Sequence, residues 1–177
     1  MKLLVGGCLM MFVVVLMVGL VVGAPSLYAQ QDQDWKTYYK PLSYTIDYPT
    51  VNGTANITET EIEGHPTTLI ESEPVFMIIT QSVSYPIDPE EMAIMHKQNY
   101  FKVSPESTIL QDMFTSTYDG EIGYTYVTNN RPIQAIISHS MITSGIFTYD
   151  INLMGMAYNP ETIDNFNNIL GSIKFFD

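Results

Sequence analysis

The sequence predicts an α+β fold, one antiparallel sheet covered by helices, in a single domain. Three observations lead there. Short segments with a two-residue apolar period or β-branched runs recur along most of the chain. Helix-start chemistry occurs at only two places, each flanked by runs of consecutive strands. No internal repeat, linker or low-complexity stretch divides the 177 residues.

Leu42, Tyr44, Ile46 and Tyr48 alternate with Ser43, Thr45 and Asp47, the period of a half-buried strand that Pro49 ends. Gly53 marks a turn. Ile57–Glu63 and Thr68–Glu73 read as a hairpin closed by Gly64-His65-Pro66-Thr67. Val75–Val83 is apolar and β-branched, as in a central strand, and Pro86 closes the first half. In Asp88-Pro89-Glu90-Glu91, Asp88 caps a helix, Pro89 suits its first position and Glu91 completes a capping box. That helix is expected to reach Phe101 and to bury Met92, Ala93 and Met95.

Further strands are expected over Ile109–Thr117, Ile122–Thr128, Ile133–Ile142 and Gly145–Tyr158. Turns fall at Asp119-Gly120 and Asn129–Pro132. A last helix, capped by Asn159 and begun by Pro160, places Ile163, Phe166, Ile169 and Leu170 on one face before Gly171. Ser172–Phe176 closes the chain as a short extended tail.

The N-terminus points outside the cytoplasm. Met1-Lys2 precedes an apolar run from Leu3 to Ala24, an export signal that cleavage after Ala29 would remove. The run is also long enough to stay as a membrane anchor. In either form Lys2 stays inside and the rest is sent out, leaving residues 30–40 as a flexible leader and 41–177 as the domain. Val5-Gly6-Gly7-Cys8 loosely resembles a lipobox but precedes the apolar run, so a buried thiol is the better reading. Cys8 is the only cysteine, which excludes disulfides, thiolate metal sites and a cysteine nucleophile beyond the signal. All 19 acidic residues but only six of the seven basic ones lie beyond Ala29, giving the exported part a net charge of −13. Such a surface repels nucleic acid and anionic lipid; a cationic partner or divalent metal suits it better. Asn52-Gly53-Thr54 and Asn56-Ile57-Thr58 both match the N-glycosylation pattern.

Candidate chemistry is sparse. Glu59, Glu61 and Glu63 share one strand face and, with Glu71 and Glu73, offer oxygen ligands to calcium; a charged edge hairpin that discourages strand addition is the simpler reading. Met92, Met95 and His96, with Met154 and Met156, carry the donor types that suit copper(I), although methionine is ordinary core filler. His139 stands between Ser138 and Ser140, with Asp150 on a neighbouring strand, yet adjacent residues on a strand point to opposite faces. No Gly-x-Ser-x-Gly occurs. His65 reads as a solvated turn residue. Trp35 and the tyrosines Tyr38, Tyr39, Tyr44, Tyr48, Tyr118, Tyr124, Tyr126, Tyr149 and Tyr158 serve either as a contact surface or as half-buried cover for the sheet. These residues lead to a non-enzymatic reading with no cofactor and a protein partner.

In order and spacing the chain resembles the PsbP-like family, the lumenal photosystem II extrinsic proteins and their exported relatives. The resemblance rests on Leu42–Pro49, which ends in Tyr48-Pro49; on Asp119-Gly120 before Tyr124-Thr125-Tyr126; on Gly145-Ile146-Phe147-Thr148-Tyr149; and on Phe166, Ile169-Leu170 and Ser172-Ile173-Lys174-Phe175. It spans Pro41 to Phe176. It departs at Thr50-Val51-Asn52, where many relatives carry tryptophan. The resemblance implies an α/β/α sandwich around an antiparallel sheet, and no photosynthetic role.

Overall fold

The computed structural model describes residues 34–83, 88–157 and 161–176. The export or anchor segment, Cys8, Pro86, Tyr158 and the Asn159-Pro160 helix start lie outside these residues. In chain order the elements are β1 (Asp34–Lys40), β2 (Tyr44–Thr50), β3 (Asn56–Ile62), β4 (His65–Ser72), β5 (Val75–Val83), α1 (Pro89–Val103), β6 (Thr108–Tyr118), β7 (Glu121–Asn130), β8 (Ala135–Ser144), β9 (Phe147–Met156), α2 (Thr162–Gly171) and β10 (Lys174–Phe175). Seven strands form one antiparallel sheet in the order β3-β4-β5-β9-β8-β7-β6. A second sheet has the order β1-β2-β10. Among the described residues no helix is long and apolar enough to cross a membrane.

The two faces of the large sheet are covered differently. On one, Ile70, Met77, Ile79, Ile142, Tyr149, Ile151 and Leu153 meet Tyr44, Ile46 and Tyr48 of β2 and Phe166, Ile169 and Leu170 of α2. On the other, α1 lies over β7 and β8 and brings Tyr100 and Phe101 onto Ala135, Ile137 and Met154. Among the described residues, one face is therefore shared by a helix and a small sheet, and the other carries α1. The residues that seat α2 are large and apolar, whereas the buried residues of α1 are only Ala93 and Tyr100.

Several local expectations are corrected. Residues 34–40 form a strand paired with β2 along its whole length, not a flexible leader. β1 is an edge strand with little burial, so no apolar alternation announces it. Leu42 is 86% exposed at φ 56° in the turn before β2, and Pro49 sits inside β2 opposite Trp35, tolerated because β10 pairs only with Tyr44 and Thr45 and leaves the other edge of β2 open there. The β3–β4 hairpin closes on two residues, Glu63 and Gly64, at φ 54° and 83°. This tight turn matches strand twist and draws His65 and Pro66 into β4. Gly145-Ile146 is likewise a turn between Ser144 and Phe147. Asp88 caps α1, its carboxylate accepting from the Glu90 N–H at 2.8 Å. Ile94 and Met95 face outward, each 41% exposed, because the inner face follows the spacing Ala93, His96, Tyr100.

Gly123 shows how tightly β6, β7 and β8 are fitted. A Cβ there would lie 2.5 Å from the Tyr118 ring and 2.9 Å from the Ile142 side chain. Gly123→Ala is expected to cost about 1–3 kcal/mol by overpacking, read as a lower urea midpoint with unchanged slope.

Candidate functional site

Opposed positions in an antiparallel sheet form rows across it, and one such row places Tyr126 of β7, His139 of β8 and Asn152 of β9 side by side under α1. The Tyr126 and His139 rings stack with centroids 4.5 Å apart and planes 16° from parallel. Tyr100 of α1 meets the His139 ring edge-on at 4.6 Å, and the His96 ring is 5.5 Å away.

The row is part of a continuous hydrogen-bonded chain. Burial and the nearby Asp150 carboxylate push the Tyr126 hydroxyl's pKa up, so it stays protonated, and it shares a hydrogen bond of 2.9 Å with His96 Nδ1. His96 Nε2 then faces Asp150 Oδ2 at 3.6 Å. Asn152 joins the next pair: its Nδ2 donates to Asp150 Oδ1 at 2.8 Å and its Oδ1 accepts from His139 Nδ1 at 2.7 Å. That bond fixes the His139 tautomer with Nε2 unprotonated, 3.3 Å from the Thr128 hydroxyl. Thr128 also lies 3.3 Å from the Tyr100 hydroxyl, which meets Ser107 Oγ at 2.9 Å and accepts from Asn130 Nδ2 at 3.2 Å. Asn130 Oδ1 is buried without a partner among the described residues.

Solvent reaches this chain at His96 and Asp150, whose side chains are 21% and 20% exposed. His139 is 2% exposed; burial first, and the adjacent His96 second, hold its pKa well below the ordinary imidazole value. Burial raises the Asp150 pKa, against the opposing pull of His96 and of the Asn152 hydrogen bond. The arrangement holds one neutral buried imidazole beside a partly exposed His96–Asp150 pair.

A second feature lies at one end of the sheets. By their registers the β8–β9 turn with Ile146, the start of β7 with Ile122 and the end of β5 with Val83 lie at the same end of the large sheet, and the β1–β2 turn with Leu42 and Phe176 are joined to that end. Ser43 ties them together: its Oγ lies 3.1 Å from Gln81 Oε1 and 3.3 Å from the Tyr149 hydroxyl, and its carbonyl accepts from the Phe176 N–H at 2.9 Å. Asp119, in the β6–β7 turn, accepts from the Phe175 N–H at 2.9 Å and pairs with Lys174. Leu42, Ile146, Val83 and Ile122 are 58–86% exposed there, and Tyr39 packs its ring edge-on against Phe176.

Compared with solved structures, the chain is similar to the solution structure of cyanobacterial PsbP (CyanoP) from Synechocystis sp. PCC 6803. The TM-score is 0.57 at 12% identity, covering 88% of this chain and 99% of that one. It is also similar to LpqN of Mycobacterium tuberculosis, described as involved in cell envelope biogenesis. Here the TM-score is 0.52 at 14% identity, covering 83% of this chain and 93% of LpqN. The chain has a PsbP-like fold. No protein-family model and no curated protein matches its sequence.

Within the PsbP-like domain the residues singled out in the sequence scatter or change role. Glu59 and Glu61 lie on one face of β3, opposite Thr68 and Pro66. Glu63 is in the turn, and Glu71 is on the other face, accepting from Asn56 Nδ2 at 3.0 Å. The five acids are therefore not brought to one point. Glu59 instead pairs with Lys40 and accepts from the Tyr38 hydroxyl, whose pKa burial and this carboxylate push up to about 12. His96 turns both ring nitrogens to Tyr126 and Asp150, with Met92 half-buried beside it and Met95 outward. Among the described residues no three His, Cys, Asp or Glu side chains are placed to hold a metal ion. Ser140 projects to the face opposite His139 and meets Thr125 Oγ1 at 2.9 Å, so it does not adjoin the imidazole. Tyr44, Tyr48, Tyr118, Tyr126 and Tyr149 are core residues, Tyr38 and Tyr124 are half-buried, and Tyr39 and Trp35 are exposed. The sequence reading missed Tyr100, Tyr126, Thr128 and Asn152 as one network. The alternation Tyr124, Tyr126, Thr128, Asn130 was its only signal.

Proposed function

We propose that this protein is an exported, non-enzymatic accessory domain of PsbP-like fold that binds a membrane or cell-surface protein. The observation that carries the reading is the apolar turn end. Leu42, Val83, Ile122 and Ile146 stand in solvent on two turns and two strand ends of a domain whose core is formed by other residues. Exposed apolar groups gathered at one end, with Asp119, Glu121 and Lys174 at their margin, have the anatomy of an interface core and its polar rim. The Leu3–Ala24 run supports delivery across a membrane, as a cleaved signal or a retained anchor. The likeness to an envelope-biogenesis protein supports the same setting as analogy of fold alone. The two helices on opposite faces of the large sheet support describing the layers as an α/β/α sandwich, with β1, β2 and β10 sharing the layer of α2.

The test is affinity capture from native membranes with the intact chain and with the Leu42→Asp/Ile146→Asp double variant. The reading expects one partner, recovered at least tenfold less by the variant while its melting temperature stays within about 2 °C. Capture of no partner, or equal capture by both proteins, contradicts it.

A further inference from the structure

Helix α1 is seated differently from α2. Phe166, Ile169 and Leu170 anchor α2 in the main core, whereas α1 offers the sheet Ala93, Tyr100 and a partly buried Phe101 together with His96. The contacts that hold α1 are in large part the polar ones: His96 to Tyr126 and Asp150, and Tyr100 to Thr128 and Asn130. Beneath them His139 is enclosed by the Tyr126 face, the Tyr100 edge and the His96 ring. We propose that α1 is an acid-loosened lid: His139 can take up a proton only when α1 lifts from the sheet, so acid weakens the hold of α1 while α2 stays seated.

The titratable groups that face His139 are His96 and Tyr100 from α1, Tyr126 from β7 and, through Asn152, Asp150 from β9. Lys97 of α1 turns aside to pair with Asp112 of β6. With the lid closed, the His139 pKa is depressed below about 6.5. The lifted state therefore binds more protons below that pH, and closure weakens as pH falls, by about tenfold per pH unit for one proton. Asp150 acts in the opposite sense. Its closed-state pKa is raised, so between that value and about 3.9 the closed state holds an extra proton that offsets the one His139 refuses. Below about 3.9 the lifted carboxylate is protonated as well, and the offset ends. Lid stability should fall, level off, then fall again.

The test is hydrogen exchange of the full-length protein in detergent from pH 7.5 to 3.5, corrected for the intrinsic pH dependence. α1 amides should lose protection in two steps separated by a plateau, with α2 amides unchanged through the first. Asp150→Asn should remove the plateau and give one continuous decline from about pH 6.5, and His139→Gln should remove both steps. Should His139→Gln fail to fold, the loss of the plateau in Asp150→Asn decides alone. Flat α1 protection down to pH 4.5, or loss from both helices together, overturns the proposal.

Discussion

Phe166→Ala is expected to lower the stability of the domain by about 3–5 kcal/mol, the cost of emptying a fully buried aromatic site. Phe166 is 2% exposed and lies where α2 meets the large sheet. The sheet below it is shaped for close approach: a Cβ on Gly155 would lie 2.6 Å from Thr162 Cγ2 and 3.5 Å from the Phe166 ring. With Thr162 donating to the Met156 carbonyl at 3.0 Å, the start of α2 is fixed and cannot slide to fill the hole. For a domain of this size the loss corresponds to a fall of roughly 10–20 °C in melting temperature. A fall under about 5 °C would show that α2 is not seated on the sheet as described.

Asn152→Leu is expected to cost about 2–5 kcal/mol despite its similar volume. The substitution removes the bridge that satisfies His139 Nδ1, leaving that buried donor without its partner, and takes one hydrogen bond from Asp150. Pairing it with His139→Phe should recover part of the loss, because removing both members of a buried polar contact is cheaper than orphaning one. Urea denaturation of the two single variants and the double variant gives the coupling energy directly. Strict additivity would show that the Asn152–His139 hydrogen bond carries no stability.

The elements with strong periodicity were legible in the sequence: the strand through Tyr44, Ile46 and Tyr48, the apolar run of β5, the Asp88-Pro89 helix start and the Phe166–Leu170 face. β1 was not legible, because an exposed edge strand can be built from Asp, Trp, Lys, Thr and Tyr without any buried alternation. Turn placement slipped by one or two residues wherever a non-glycine residue accepts a positive φ, as Leu42 and Glu63 do. The polar network was the least readable feature. His96, Tyr126, His139 and Asp150 are spread over 55 positions and meet only because β7, β8 and β9 are neighbours in one register. Spacing along a chain cannot announce a cross-strand row. The outward turn of Met95 followed from the same fact, since α1 presents His96 and Tyr100, not its methionines, to that row.

Site-specific photo-crosslinking from position 146 in intact native cells tests the central claim most directly. A probe on the β8–β9 turn should yield one discrete protein adduct, and the same probe at Ile94 on the outer face of α1 should yield none. No adduct at 146, or equal adducts from both positions, would contradict the assignment of the apolar turn end as the surface that meets a partner.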